Sequence, residues 1–145
     1  MIGLIQRVSH ARVEVAGERV GAIGAGLLVL VGVVPADTET NASRLAERVL
    51  GYRIFEDSSG RMNLSVRDIG GGVLAVPQFT LAADTRKGTR PSLSGAAAPA
   101  QAEALYETLL DKLRESGLEI ARGRFGADMQ VSLTNAGPVT LWLEG

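Results

Sequence analysis

Thr80, preceded by Gln78 and Phe79, is a first candidate for chemistry, because a threonine hydroxyl becomes a nucleophile when a base lies beside it. The chain offers few bases. His10 is its one histidine, and the alternation of its strand places it on the polar face. The remaining bases are carboxylates such as Asp84 and Asp128, and nothing in their spacing pairs either with Thr80. A threonine at a strand position serves β-propensity equally well. The absence of cysteine removes disulfides, thiolate nucleophiles and cysteine-ligated zinc, and a single histidine is too few for most other zinc sites. No cofactor and no metal is therefore expected.

Three further segments carry weaker signals. Thr85-Arg-Lys-Gly-Thr-Arg90 sets Arg86, Lys87 and Arg90 around a glycine, a spacing that suits either a phosphate backbone or a solvated loop. Gly123-Arg-Phe-Gly-Ala127 flanks Phe125 with glycines, as in a turn around a core ring or a platform for an unstacked base. Asn135-Ala-Gly-Pro-Val-Thr140 reads by composition as a turn between strands.

These residues need elements to position them. Ser9, Ala11, Val13 and Val15 alternate with His10, Arg12 and Glu14 as in a half-buried strand, and a second strand spans about Arg19 to Ile23. Carried backwards, the same parity turns Arg7 inward, where it needs a partner unless a bulge resets the register. Leu27 to Val34 is a continuous apolar run suited to a strand covered on both faces. Asp37 or Thr38 caps a helix with an apolar stripe at Ala42, Leu45, Ala46, Val49 and Leu50, ended by Gly51. Tyr52 to Phe55 and Val73 to Leu81 are expected strands, with Pro77 marking an edge, bulge or strand end. Pro99 opens a second helix with its stripe from Ala102 to Leu113, and Gly117 closes it. Leu118–Ala121, Met129–Asn135 and Val139–Leu143 are the remaining strands. The expectation is one mixed α/β domain over residues 1–145, with a mostly antiparallel or mixed, barrel-like sheet and two main helices.

Composition agrees. At 145 residues, 46% hydrophobic and 21% charged, the chain has the profile of one ordinary soluble globular domain. Its longest apolar run is far short of the roughly 20 residues of a membrane span, and no secretion signal opens it, so a cytoplasmic location without a membrane partner is expected. A formal charge of −1 neither demands nor forbids a nucleic-acid partner.

Taken in order, Gln6-Arg7-Val8, Gly60-Arg-Met-Asn-Leu-Ser65, Pro77-Gln-Phe-Thr-Leu81, Lys87-Gly-Thr-Arg-Pro91, Gly123-Arg-Phe-Gly-Ala127 and Asn135-Ala-Gly-Pro-Val-Thr140 resemble the motif series of the D-aminoacyl-tRNA deacylases, the D-tyrosyl-tRNA(Tyr) deacylase family. The resemblance covers essentially the whole chain. It implies a homodimer that hydrolyses D-aminoacyl-tRNA and mischarged glycyl-tRNA(Ala). In that picture Gly137 and Pro138 form a cis peptide that enters the other subunit's site and excludes L-amino acids, with Arg7 bracing it and Asn135 beside it. Gln78, Phe79 and Thr80 hold the ester carbonyl through backbone N–H groups, while the 2′-hydroxyl of the terminal adenosine helps to activate water. A rival picture makes Thr80 the nucleophile. Phe125 and Met129 line the adenosine pocket, and Arg86, Lys87 and Arg90 follow the tRNA backbone.

Three residues depart from the family pattern: Pro77 where serine is usual, Ala136 where aspartate is usual and Ala82 where tyrosine is common. They leave open an alternative, a non-catalytic homodimer that binds an RNA end or a small molecule on the same scaffold.

Overall fold

The computed structural model describes all 145 residues. Eight strands and two helices follow one another as β1 (Ile2–Val15), β2 (Glu18–Ile23), β3 (Gly26–Gly32), α1 (Glu39–Gly51), β4 (Phe55–Glu56), β5 (Met62–Leu64), β6 (Gly72–Pro77), α2 (Pro99–Arg114), β7 (Ile120–Arg122) and β8 (Gln130–Glu144). The main sheet runs β2-β1-β3-β6-β7, with β8 on the other edge of β1, and it curls into a nearly closed barrel. Strand β1 pairs antiparallel with β2, β3 and β8, whereas β3/β6 and β6/β7 are parallel, so the sheet is mixed. The small β4-β5 hairpin stands apart.

Alternation sorts the apolar residues into two cores. On β3 and β6, Leu27, Val29, Val31, Val73 and Ala75 face the helices and join Leu45, Val49, Leu109, Leu110 and Leu113. Leu28, Leu74 and Val76 face the barrel interior with Val8, Ala11, Val13 and Ile23. Coverage on both faces is why β3 and β6 read as unbroken apolar runs. Each fully buried Leu or Val contributes about 1.5–3 kcal/mol, enough to hold the two sheet ends that carry the site. Both helices bury the stripes their spacing predicts. Thr38 is the first cap, while Asp37 turns its carboxylate to the Val34 N–H at 2.8 Å.

Several expectations change. Of the segment Tyr52–Phe55 only Phe55 joins a strand, the two-residue β4, and the Ile54 carbonyl just before it accepts from Arg7 instead of a ladder partner. The strand read as Val73–Leu81 stops at Pro77, and Phe79–Ala82 coils into a short 3-10 turn. The last two predicted strands are one strand, β8, both halves of which pair with β1. The register resolves Arg7 as well: Ile5 belongs to the helix-side core and Val8, Ala11 and Val13 to the barrel core, with pairing shifts on either side of Val8. Arg7 thus faces the helix side rather than the barrel. No helix is long and apolar enough to cross a membrane.

Candidate active site

The parallel pair β3 and β6 ends at Val31 and Pro77, and the Gln78 N–H donates to the Val31 carbonyl at 2.7 Å as the last link of that ladder. Proline cannot extend the pairing, so the chain turns. In the 3-10 turn that follows, Leu81 N–H bonds the Gln78 carbonyl and Ala83 N–H the Thr80 carbonyl. The N–H groups of Phe79 and Thr80 precede the first bonded donor and have no acceptor within the turn. They form a pair of adjacent main-chain donors at the surface.

Beside them opens a cavity of about 700 Å³, lined mainly by apolar residues including Val33, Phe79, Ala97, Phe125 and Met129, with Gln78 among its polar ones. That volume suits a small-molecule-sized group. Its floor is braced. Buried Tyr106 donates its hydroxyl to the Ala75 carbonyl at 2.8 Å, and its ring meets that of Phe125 at 6.3 Å between centroids. The Arg122 guanidinium lies 5.4 Å from the Tyr106 ring centre and forms a two-pronged pair with Glu107 at 3.0 and 2.5 Å. Burial pushes the Tyr106 phenol up to about 12, against the opposing pull of the Arg122 charge. Gly123 lies against Met129: a Cβ there would stand 2.8 Å from the Met129 sulfur, which would have to move.

Thr80 sits exposed on the turn, and its hydroxyl accepts from Gln78 Nε2 at 2.6 Å. No base touches it. The Asp84 carboxylate is gripped by Arg86 at 2.9 and 2.7 Å, which holds it below the usual carboxylate range. His10 faces Ser9 and Thr134.

A second cluster surrounds the cis Gly137-Pro138 peptide. Register passes from Gln6↔Thr140 to Val8↔Asn135, so residues 136–139 bulge out opposite Arg7 alone. Arg7 donates through Nε to the Ala136 carbonyl at 2.9 Å and through Nη1 to the Ile54 carbonyl at 2.7 Å. Gly137 lies at φ +133°, and a Cβ on it would sit 2.8 Å from Arg7 Nη2. Both Gly137 and Pro138 are exposed, and neither lines the cavity of its own chain.

The profile of the D-Tyr-tRNA(Tyr) deacylases matches residues 4–144. The chain belongs to that family. As a member it is an enzyme of the deacylase type. A protein named D-aminoacyl-tRNA deacylase from Alkalilimnicola ehrlichii is 65% identical over 144 residues, 99% of this chain and 96% of that relative. Among solved structures, one named c-Myc DNA Unwinding Element Binding Protein superposes with a TM-score of 0.94 at 41% identity, covering 100% of this chain and 99% of that one. Another, described as a probable eukaryotic D-amino acid tRNA deacylase, gives a TM-score of 0.86 at 17% identity over 99% and 98% of the two chains, which shows the shared fold.

Within this deacylase-family chain, the residues singled out from sequence fall into three groups. Gln78, Phe79, Phe125 and Met129 meet at the cavity, with Thr80 next to it on the turn. Arg7, Asn135, Gly137 and Pro138 meet at the bulge, where Asn135 turns its amide inward: Oδ1 accepts from Val139 N–H at 3.0 Å and Nδ2 donates to Thr140 Oγ1 at 2.8 Å. On the basic loop, whose base is closed by paired backbone bonds between Asp84 and Ser92, Arg86 is engaged by Asp84 while Lys87 and Arg90 project into solvent. The departures are mild in structure. Arg7 needs only the backbone carbonyl of Ala136, and the two donors of the turn lie beyond Pro77. Ala82 borders a shallow polar depression with Asp84, Arg86 and Ser94. Sequence reasoning missed Tyr106 and Arg122 as site residues. The one available signal was a hydroxyl-bearing ring inside an otherwise aliphatic helix stripe.

Proposed function

We propose that this chain hydrolyses the ester linking a D-amino acid to the terminal adenosine of tRNA, as a homodimer. The observation that carries the reading is the pair of free main-chain donors at Phe79 and Thr80 beside an apolar cavity, with no base at the Thr80 hydroxyl. The adenosine enters the cavity against Phe125 and Met129, and the ester carbonyl oxygen accepts from the two N–H groups, which stabilise the oxyanion as it forms. Water, oriented by the 2′-hydroxyl of the adenosine, adds to the carbonyl carbon. The bond to the ribose 3′-oxygen breaks, that oxygen takes one of the two protons of the water, the other passes to solvent, and the D-amino acid leaves as a free carboxylate. Lys87 and Arg90 follow the incoming RNA backbone, with Arg86 contributing where it is not held by Asp84.

Selectivity comes from the partner subunit's Gly137 and Pro138, whose rigid backbone occupies the side of the α-carbon where an L side chain would lie. Glycine has no side chain to exclude, so glycyl-tRNA(Ala) is a second substrate. Two observations support the dimer. The exposed Gly137-Pro138 bulge does not line the cavity of its own chain, and Leu30, Leu4 and Trp142 align across three strands, with Trp142 49% exposed, as an apolar strip in need of cover. The reaction belongs where aminoacyl-tRNA is made, in the cytoplasm.

A second reading, a binder of a nucleic-acid end, is favoured by the DNA-binding name of the structure at 41% identity. Incubation of the purified protein with D-tyrosyl-tRNA and L-tyrosyl-tRNA separates the two. Rapid loss of the D-ester alone supports the hydrolase; a D-ester that decays no faster than in buffer refutes it.

A further inference from the structure

The bulge at residues 136–139 has left the β1-β8 ladder, so side chains must hold what backbone pairing no longer does. Arg7 fixes its first limb through the Ala136 carbonyl. The other limb is closed across the base, where Val139 N–H donates to Asn135 Oδ1 at 3.0 Å. That bond sets the orientation of the Asn135 amide and points its Nδ2 at Thr140 Oγ1, 2.8 Å away. Gln6 Nε2 reaches the same oxygen from β1 at 3.3 Å. One hydroxyl therefore ties the amide that closes the bulge to the strand beneath it.

We infer that Thr140, held between Gln6 and Asn135, is a positioning residue that fixes where Gly137 and Pro138 project, and thereby sets the preference for D- over L-esters. The inference rests on the hydrolase reading and adds to it residues outside the cavity and the dipeptide itself. Steric exclusion is sensitive to small displacements, because a shift approaching 1 Å changes rates by about a hundredfold in a well-fitted site. Without the Thr140 oxygen, the Asn135 amide is held by the Val139 bond alone, that bond loosens, and the dipeptide has room to retreat from an L side chain.

The test compares Thr140→Val, which keeps the shape and removes the acceptor, with Thr140→Ser, which keeps the acceptor. Both are assayed on D- and L-tyrosyl-tRNA, with hydrogen exchange followed at the Val139 amide. Thr140→Val is expected to raise L-ester hydrolysis relative to D-ester by about tenfold or more and to speed exchange at Val139, whereas Thr140→Ser keeps the wild-type ratio and protection. A Thr140→Val enzyme with the wild-type D-to-L ratio overturns the inference, as does a Thr140→Ser enzyme that behaves like Thr140→Val. Should the wild-type protein leave the D-ester intact, the hydrolase reading falls, and Val139 exchange still decides whether Thr140 holds the bulge: unchanged exchange in Thr140→Val would overturn that too.

Discussion

Replacing Thr80 by alanine separates main-chain chemistry from a threonine nucleophile. In the structure the Thr80 hydroxyl has one bond, from Gln78 Nε2 at 2.6 Å, and it is exposed. A neutral hydrogen bond of that kind is worth about 0.5–1.5 kcal/mol. If all of it were lost in the transition state, the rate would fall by about two- to thirteenfold, since each 1.36 kcal/mol is a factor of ten. The donors at Phe79 and Thr80 are backbone groups and survive the substitution. Removal of a true side-chain nucleophile costs on the order of 10⁶ in kcat. The assay is single-turnover decay of D-tyrosyl-tRNA with enzyme in excess, so that chemistry rather than release is read, alongside thermal unfolding to confirm an intact fold. A loss of about ten thousandfold or more in a normally folded Thr80→Ala protein, restored by Thr80→Ser, would refute the reasoning and reinstate the hydroxyl as nucleophile.

Three further outcomes are expected. Gly137→Ala forces a Cβ to 2.8 Å from Arg7 Nη2 at φ +133°, which displaces the brace from Ala136. Stability should drop by about 1–3 kcal/mol in urea titration, with slower D-ester cleavage; a variant equal to wild type in both would show that the brace is dispensable. Lys87→Ala combined with Arg90→Ala should lower the slope of log affinity for tRNA against log salt by about 1.4, or about 0.7 per lost single-strand contact, and an unchanged slope places the RNA elsewhere. The Tyr106 phenol is raised by burial to about 12, so the unfolded chain deprotonates near pH 10 while the folded one does not. The stability tied to it is complete below pH 10 and is lost as pH climbs to 12, by up to about 3 kcal/mol. Tyr106→Phe lacks that component, so parallel alkaline losses in both proteins would contradict the assignment.

Periodicity made the helices and the doubly covered strands legible, since a stripe such as Ala42, Leu45, Ala46, Val49 and Leu50 admits one buried face. It failed where side chains took over backbone partners. Residues 78–81 carry strand-forming types, and only the ladder's end at Pro77 turns Phe79–Ala82 into a 3-10 turn. Gly137-Pro138 looks locally like any hairpin turn, and what makes it a bulge is that both flanking segments pair with the same strand, a long-range fact. Arg7 could be seen to need a partner, yet its acceptors, the carbonyls of Ile54 and Ala136, carry no mark in sequence because every residue has one.

That last point bears on why residue types alone give so faint a catalytic signal in this chain. On the proposed reading, the oxyanion donors are amides of the turn, the stereochemical filter is the backbone of a dipeptide, and its brace ends on a carbonyl. Side chains act one step away, as Arg7 and Asn135 do at the bulge and as Tyr106 does beneath Phe125. Departures at positions 77 and 136 then change groups that the arrangement does not use, because Pro77 precedes the free donors and Ala136 offers the carbonyl that any residue offers. Substitutions that shift the main chain at Gly137, where φ is +133° and a Cβ would meet Arg7 at 2.8 Å, act on the parts that matter. In a site built this way, backbone placement limits the chemistry, and the residues most sensitive to change are those with no functional group at all.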